Sequence, residues 1–330
     1  MESLKGEWAE LWTRCSGATP FQSPQWLLPW WKHLGQGDLW VLALRQEDRL
    51  VGVAPFFIQS LPESGARQVL LLGSGITDYL DVLLEAEFES LARAAILAHL
   101  DQHRERWNLC DFQQLRGCSQ LLEVGIAPDW DSVVNVQEVC PVLGLPPEIE
   151  QLPRSVPTHM LDKLWYYRRR VRKLAAARIE SANPENFDEL FERLLQLHRA
   201  RWASRGQNGV LAEEQVQQFH REAAYQMLVA GTLRLYGLRV GERIEASFYG
   251  FGNGQRTFYY LGGFEPELSP YSPGALLIGH AIEEAIREGA AEFDFLRGRE
   301  AYKYMWGAKG RLNYRRQLWH SAASERARAA

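Results

Sequence analysis

The sequence predicts an α+β protein built from two copies of one mixed, largely antiparallel sheet flanked by helices. Three observations carry this. Patterns for two strands joined by a turn at 39–45 and 50–58 return at 233–239 and 244–250, with Arg45 and Arg49 matched by Arg239 and Arg243 at one offset, 239 − 45 = 243 − 49 = 194. Each hairpin is followed by a strand, a loop, a helix and a second strand running into Leu-Arg-Gly, at 115–117 and 296–298. The 330 residues are 46% hydrophobic and 12% aromatic, enough for two cores of ordinary size.

In chain order, helical patterns cover 8–15 and 24–34, with Trp26, Trp30 and Trp31 as packing residues. After the first hairpin come a strand at 68–72, a loop from Gly73, a helix near 87–104 and a strand at 108–115. The Pro-rich stretch 141–157 reads as a linker. The expected division is therefore a first domain 1–145, a linker 146–160, a second domain 161–322 and a disordered tail 323–330. The second domain opens on a basic helix, Leu164-Trp-Tyr-Tyr-Arg168-Arg-Arg-Val-Arg172-Lys173. A short strand at 178–182, a helix capped by Asn186 and a helix at 215–227 follow, with His198 and His220 expected to be partly exposed. Beyond the second hairpin lie a strand at 257–263, a helix at 275–287, a strand at 291–296 and a terminal strand at 312–319.

Net charge is −4, so no global field draws nucleic acid, and any RNA contact needs a local patch. The four cysteines show no C-x-x-C spacing and read as buried thiols in a reducing compartment; no metal is expected. The start lacks a signal-peptide core, and no apolar run nears the ~20 residues that cross a bilayer, so a cytoplasmic protein without a transmembrane segment is expected.

Chemistry concentrates in 257–298. The strand Thr257-Phe-Tyr-Tyr-Leu261 ends at Gly262-Gly263, and Ser272 then serves as an N-cap, Pro273 suits the first helical position, and Gly274 lets a bulky group approach free amides. Such a helix start favours an anion, and the strand edge offers amides to an extended ligand, as a pyrophosphate with a pantetheine arm requires. Tyr260, Leu261, Gly262, Gly263, Ser272, Pro273, Gly274 and Ala275 are the candidate cofactor residues. The same pattern also describes an ordinary strand–helix–strand unit in which Gly274 only permits close packing. The first copy has Asp78-Tyr79-Leu-Asp81 at that point, where carboxylates repel phosphate, so the nucleotide is placed in the second copy. Asp78, Tyr79 and Asp81 then hold an acceptor ammonium, or are solvated loop residues. Arg169, Arg172 and Lys173 form either a phosphate patch, for a coenzyme, a phosphorylated acceptor or a tRNA, or a solvated helix face.

The element order, with Tyr271-Ser-Pro-Gly-Ala275, Phe293-Asp-Phe-Leu-Arg-Gly298 and Tyr302-Lys-Tyr-Met-Trp-Gly307, resembles the GNAT fold of acyl-CoA N-acyltransferases. Its duplication resembles the tandem-GNAT group that includes the CelD type of cellulose biosynthesis and the Fem-type aminoacyl transferases. Leu276 departs from the GNAT pyrophosphate loop, which has a small residue there. The resemblance implies two tandem GNAT domains, the first degenerate. It implies transfer of an acyl group from acetyl-CoA or a longer acyl-CoA to a small-molecule or cell-envelope amine in the cleft between domains. The alternatives are an aminoacyl-tRNA-dependent transferase and a non-catalytic scaffold in polysaccharide biosynthesis. It further implies Glu245 or Asp294 as base, or Asp78 or Asp81 reaching across from the first copy, with Tyr302 and Lys303 beside the leaving thiolate and Arg297 facing phosphate or an acceptor carboxylate.

Overall fold

A computed structural model describes residues 1–123, 129–174, 176–203 and 206–320; the expected tail at 323–330 lies outside them. The chain divides into two compact units, Met1–Glu138 with Leu312–Ala330, and Val139–Arg311. In order, the elements are α1 (Lys5–Arg14), α2 (Pro24–Leu34), β1 (Asp38–Gln46), β2 (Arg49–Ser60), β3 (Arg67–Leu71), β4 (Leu83–Leu84), α3 (Glu89–Gln102), β5 (Leu109–Arg116) and β6 (Trp130–Gly144). Then follow α4 (Thr158–Val171), β7 (Arg178–Ser181), α5 (Phe187–Ala203), α6 (Glu214–Val229), β8 (Leu233–Val240), β9 (Arg243–Gly252), β10 (Arg256–Phe264), α7 (Pro273–Arg287), β11 (Glu292–Asp294), α8 (Ala301–Met305) and β12 (Lys309–His320).

The first unit orders its strands β1-β2-β3-β5-β12, and the second β6-β11-β10-β9-β8-β7. Each has one parallel pair, β3 with β5 and β10 with β11; the other pairings among the described residues are antiparallel. This is the mixed α+β architecture that the sequence predicts. The repeat holds to the residue: the β1–β2 bulge falls between Leu44 and Arg45 and the β8–β9 bulge between Leu238 and Arg239, again 194 apart. The parallel pairs start from Gln68 with Leu109 and from Arg256 with Glu292, which puts Asp111 and Asp294 in the same register.

The last strands are exchanged. β6, which follows β5 in the chain, supplies Val142, Leu143 and Gly144 to β11, and β12, which follows β11, supplies 313–318 to β5. The terminal strand expected in the second domain therefore completes the first unit. Nor is 146–160 a free linker. It contains a 3₁₀ turn at Ile149–Arg154 and the start of α4, and Leu152, Val156 and Met160 are buried in the second unit's core. The proline spacing suggested a linker, but the apolar residues between the prolines have a core to fill.

In the second unit α4 and α7 share a core with Tyr236, Phe248, Tyr259, Phe293, Phe295 and Trp306. Side chains alternate across a strand, so Tyr249 and Tyr260 face the other way. There Phe191 of α5 meets Tyr249 at 6.3 Å and His220 of α6 meets Tyr260 at 5.3 Å. His198 and His220, expected to be partly exposed, are buried on this side because α5 and α6 turn those faces inward.

Candidate functional site

Helix α7 starts as its sequence dictates, with Pro273 at the first position and Leu276, Leu277, Ile282 and Ile286 buried. Ser272, expected as a side-chain cap, makes no such bond; it adopts a left-handed conformation (φ 47°, ψ 56°), and its carbonyl accepts from the Leu276 amide. The turn thus leaves the first amides of α7 pointing out of the helix end, where the dipole favours negative charge. Two glycines in α7 differ. A Cβ on Gly279 would lie 2.7 Å from Leu164, so that glycine lets α4 approach. A Cβ on Gly274 would meet nothing nearer than the Phe264 ring at 3.9 Å, and Gly274 has no positive φ. Neither packing nor backbone conformation demands glycine at 274, which removes the close-packing explanation.

The second part of the site is an open strand edge. β10 and β11 pair only over Arg256–Phe258 and Glu292–Asp294 and then separate. Beyond a bulge at Tyr260, β10 continues to Phe264 with β9 on one side only. β11 is shorter than expected because its chain turns at Leu296 (φ 56°), where Asp294 Oδ1 accepts from the Leu296 amide at 2.8 Å. Among the described residues of the first unit the corresponding edge is filled. Leu71, which is to Phe56 what Tyr259 is to Gly250, ends β3, and 73–82 folds inward, with the Leu80 amide on the Gln114 carbonyl and the Trp26 indole on Thr77 Oγ1.

The expected site residues divide accordingly. Leu261, Ser272, Gly274 and Ala275 are partly exposed around the open edge and helix start, Pro273 is buried beneath, and Tyr260 is turned to the α5 and α6 side. Gly262 and Gly263 are fixed by packing: Cβ atoms there would lie 2.6 Å from the Ser247 carbonyl and 2.7 Å from Leu197. Lys303 is buried, and its ammonium donates to the carbonyls of Leu296 and Arg297 and pairs with Glu300 at 3.0 Å, so it ties the loop after β11 rather than awaiting a thiolate. Asp294 is buried and spends an oxygen on the same loop. Glu245 is partly exposed and lies 3.7 Å from Arg193 and 3.8 Å from Arg243. Tyr302 hydrogen-bonds Tyr259, and burial pushes its hydroxyl well above the usual tyrosine range, so it holds its proton. Arg297 is partly exposed, its carbonyl taken by Lys303.

In the first unit Asp78, Tyr79 and Asp81 are buried, not solvated. Tyr79 lies under the Arg116 guanidinium, and Asp81 accepts from Ser119 Oγ and the Val82 amide. Burial pushes the Asp81 carboxyl up to about 6 against the pull of Arg116. Arg169 of α4 and Arg172 and Lys173 in the turn after it are exposed, whereas Arg168 makes a bidentate pair with Glu283 of α7 at 2.8 and 2.9 Å. Arg170, missed as a site residue, donates to the Pro270 carbonyl and lies 4.7 Å from the Tyr271 ring centre, at the turn into α7. Arg201 was also missed: it donates to the Gly262 carbonyl at 3.0 Å. Only its place on α5 reveals it, since the sequence offers one arginine among many. A groove of about 460 Å³ lies elsewhere, between β1 and α3, where Arg45, Gln46 and His99 join an otherwise apolar set of side chains.

A strand that separates from its parallel neighbour beside a helix start with outward amides can take an extended ligand with an anionic end. The family model described as Acetyltransferase (GNAT) domain matches residues 161–304. Residues 161–304 form a GNAT acetyltransferase domain. Among solved structures, FemX shares the fold with a TM-score of 0.68 at 11% identity, covering 94% of this chain and 95% of that one. A conserved protein of unknown function from Bacteroides thetaiotaomicron VPI-5482 follows at 0.65 and 9%, covering 97% of each. The C-terminal DUF2156 domain of a putative lysylphosphatidylglycerol synthetase from Agrobacterium fabrum gives 0.59 and 12%, covering 98% and 95%. No curated protein matches the sequence. The GNAT domain makes the chain an acyltransferase. Among the described residues no group of three or more His, Cys, Asp or Glu side chains is placed to hold a metal, and no helix is long and apolar enough to cross a membrane.

Proposed function

We propose that the protein is an acyl-CoA-dependent N-acyltransferase whose donor site is the start of α7 and the open edge of β10. The observation that carries this is Gly274, a glycine that neither its backbone conformation nor the described residues around it require, at the helix start where a pyrophosphate needs backbone amides within reach. The amides of Gly274 and Ala275 hold the phosphates, Arg170 adds positive charge at the adjoining turn, and the β10 edge at Leu261 and Gly262 takes the pantetheine arm and the acyl carbonyl. An acyl-CoA supplies a thioester whose acyl carbon passes from sulfur to an amine nitrogen, the proton lost by nitrogen being made good on sulfur. Backbone donors at that edge stabilise the charge that develops on the carbonyl oxygen, typically by ~3–4 kcal/mol for each well-placed donor. Tyr302, kept protonated by burial, donates a hydrogen bond to the leaving sulfur without giving up its proton, and Glu245 is the proposed acceptor of the amine proton that finally reaches sulfur. Asp294 and Lys303 hold the loop that carries Arg297.

Calorimetric titration with acetyl-CoA, a longer acyl-CoA and free CoA tests the reading, with Gly274→Glu as control. Micromolar binding that the variant loses supports it; absence of binding by the folded wild-type protein overturns it. One observation favours an aminoacyl-tRNA donor instead. Trp165 and Tyr166 are 60% and 48% exposed on α4, which carries Arg169 and runs into Arg172 and Lys173, and aromatic rings among cations suit unpaired bases and phosphates. That reading requires steeply salt-dependent tRNA binding, weakened when the three cations are changed to Gln.

A further inference from the structure

Helix α5 lies on the face of the β8–β10 sheet opposite α7, since Leu197 and His198 press on Gly263 while the Tyr259 ring belongs to the α7 core. Arg201, at the end of α5, nevertheless bonds both the Gly262 carbonyl and the Tyr259 hydroxyl. β9 covers one edge of β10, so the side chain reaches the α7 face past the other edge, the one that β11 has left. Tyr259 also bonds Tyr302, and its hydroxyl would lie 2.9 Å from a Cβ on Gly262. A guanidinium, a glycine and two neutral tyrosine hydroxyls therefore meet at one point of the open edge. The Glu300 carboxylate also acts on both hydroxyls, and the guanidinium brings to the edge a charged donor whose attraction for an oxygen grows as that oxygen becomes negative. It suits a place where negative charge develops during reaction.

We infer that Arg201 is a catalytic residue whose guanidinium donates to the acyl carbonyl oxygen of a thioester held at the open edge of β10. The inference rests on the donor site proposed above. Arginine keeps its charge at any working pH and presents its donors in a rigid fork, so it can hold Gly262, Tyr259 and the acyl oxygen with little reorganisation. The probe is acetyl-CoA isotopically labelled at the acyl carbonyl, its stretching frequency read by difference infrared spectroscopy on the protein at saturation, with affinity from calorimetry. In the wild-type protein the stretch moves to lower wavenumber on binding. In Arg201→Met that shift is lost while affinity stays within an order of magnitude, and in Arg201→Lys it is partly retained. If Arg201→Met does not fold, Arg201→Lys carries the test, since a smaller shift is still required of it. Binding with an unchanged stretch in the folded variants overturns the role of Arg201 alone, whereas no acetyl-CoA binding by the wild-type protein overturns the donor site and this role with it.

Discussion

Gly274 and Gly279 lie five positions apart in one helix, and single methyl groups separate their roles. Gly274→Ala adds a methyl into open space and improves helix propensity, so stability is expected to hold or rise by up to about 1 kcal/mol. Gly279→Ala drives a methyl into Leu164 and is expected to cost about 1–3 kcal/mol. Urea unfolding of both variants decides this; equal effects would show that the two glycines do the same job. Asp81 gives a pH dependence of definite sign. Its folded carboxyl titrates near 6 because it is buried, against an ordinary value near 4, so between those values the folded protein keeps a proton that the unfolded chain has lost. Its contribution to stability therefore falls as pH rises through that window and stays low above it. Asp81→Asn should flatten this slope and stabilise the protein at pH 7 by up to about 3 kcal/mol, the value of two pKa units. His198 and His220 act in the opposite sense: burial lowers them to about 4 and about 3, so their contribution is present above pH 6.5 and is lost as pH falls through the folded values. Urea midpoints of wild type and Asp81→Asn from pH 4 to 8 separate the two, because only the difference between the proteins reports Asp81.

At the scale of elements, the basic helix shows why a charge run is ambiguous in sequence. The pattern Arg168-Arg-Arg-Val-Arg172-Lys173 gives the helix and its cations but not which of them have partners. Arg168 is committed to Glu283 and Arg170 to the turn before α7, whereas Arg169, Arg172 and Lys173 face outward. A double-mutant cycle on Arg168 and Glu283 should return a coupling of about 1 kcal/mol, since the pair is bidentate but partly exposed, and the coupling should fall in high salt. No coupling would mean that apolar packing and the Arg170 contacts fix α4 on α7 without help from this pair. The hairpins, the long helices and the start of α7 were legible because period-2 and period-3.6 apolar patterns, prolines and glycines are local signals. The left-handed Leu296 that shortens β11, the buried ammonium of Lys303 and the passage of Arg201 round the edge of β10 depend on residues far apart in the chain, and no local pattern encodes them.

Over the whole chain, the duplication was legible from one repeated hairpin and its arginines, while the exchange of last strands was not, because a strand's own residues do not name its neighbour. β12 brings to the first unit what that unit's own segment, Met1–Glu138, lacks. Arg315 makes a bidentate pair with buried Asp111 at 2.6 and 2.8 Å, Arg316 donates to the carbonyls of Leu121 and Leu122, Asn313 donates to the Asp78 carbonyl and Gln114, and Leu318 enters the core. A chain ending at 311 leaves the Asp111 carboxylate buried without its cation, the β5 edge unpaired and a hole where Leu318 sat. Losing the cation costs about 1–3 kcal/mol, since the Arg315 side chain is 39% exposed and Gln113 still donates to the carboxylate, and the lost strand pairing and core contact add to it. The truncated chain is therefore expected to lose amide protection throughout β2, β3 and β5, and Arg315→Ala to reproduce part of that loss by exposing the same charge with the strand in place. Hydrogen exchange read by mass spectrometry on peptides from 49–71 and 109–116 checks both. Full protection in the truncated chain would mean that the first unit's fold is complete within Met1–Glu138 and that the strand exchange adds nothing to it.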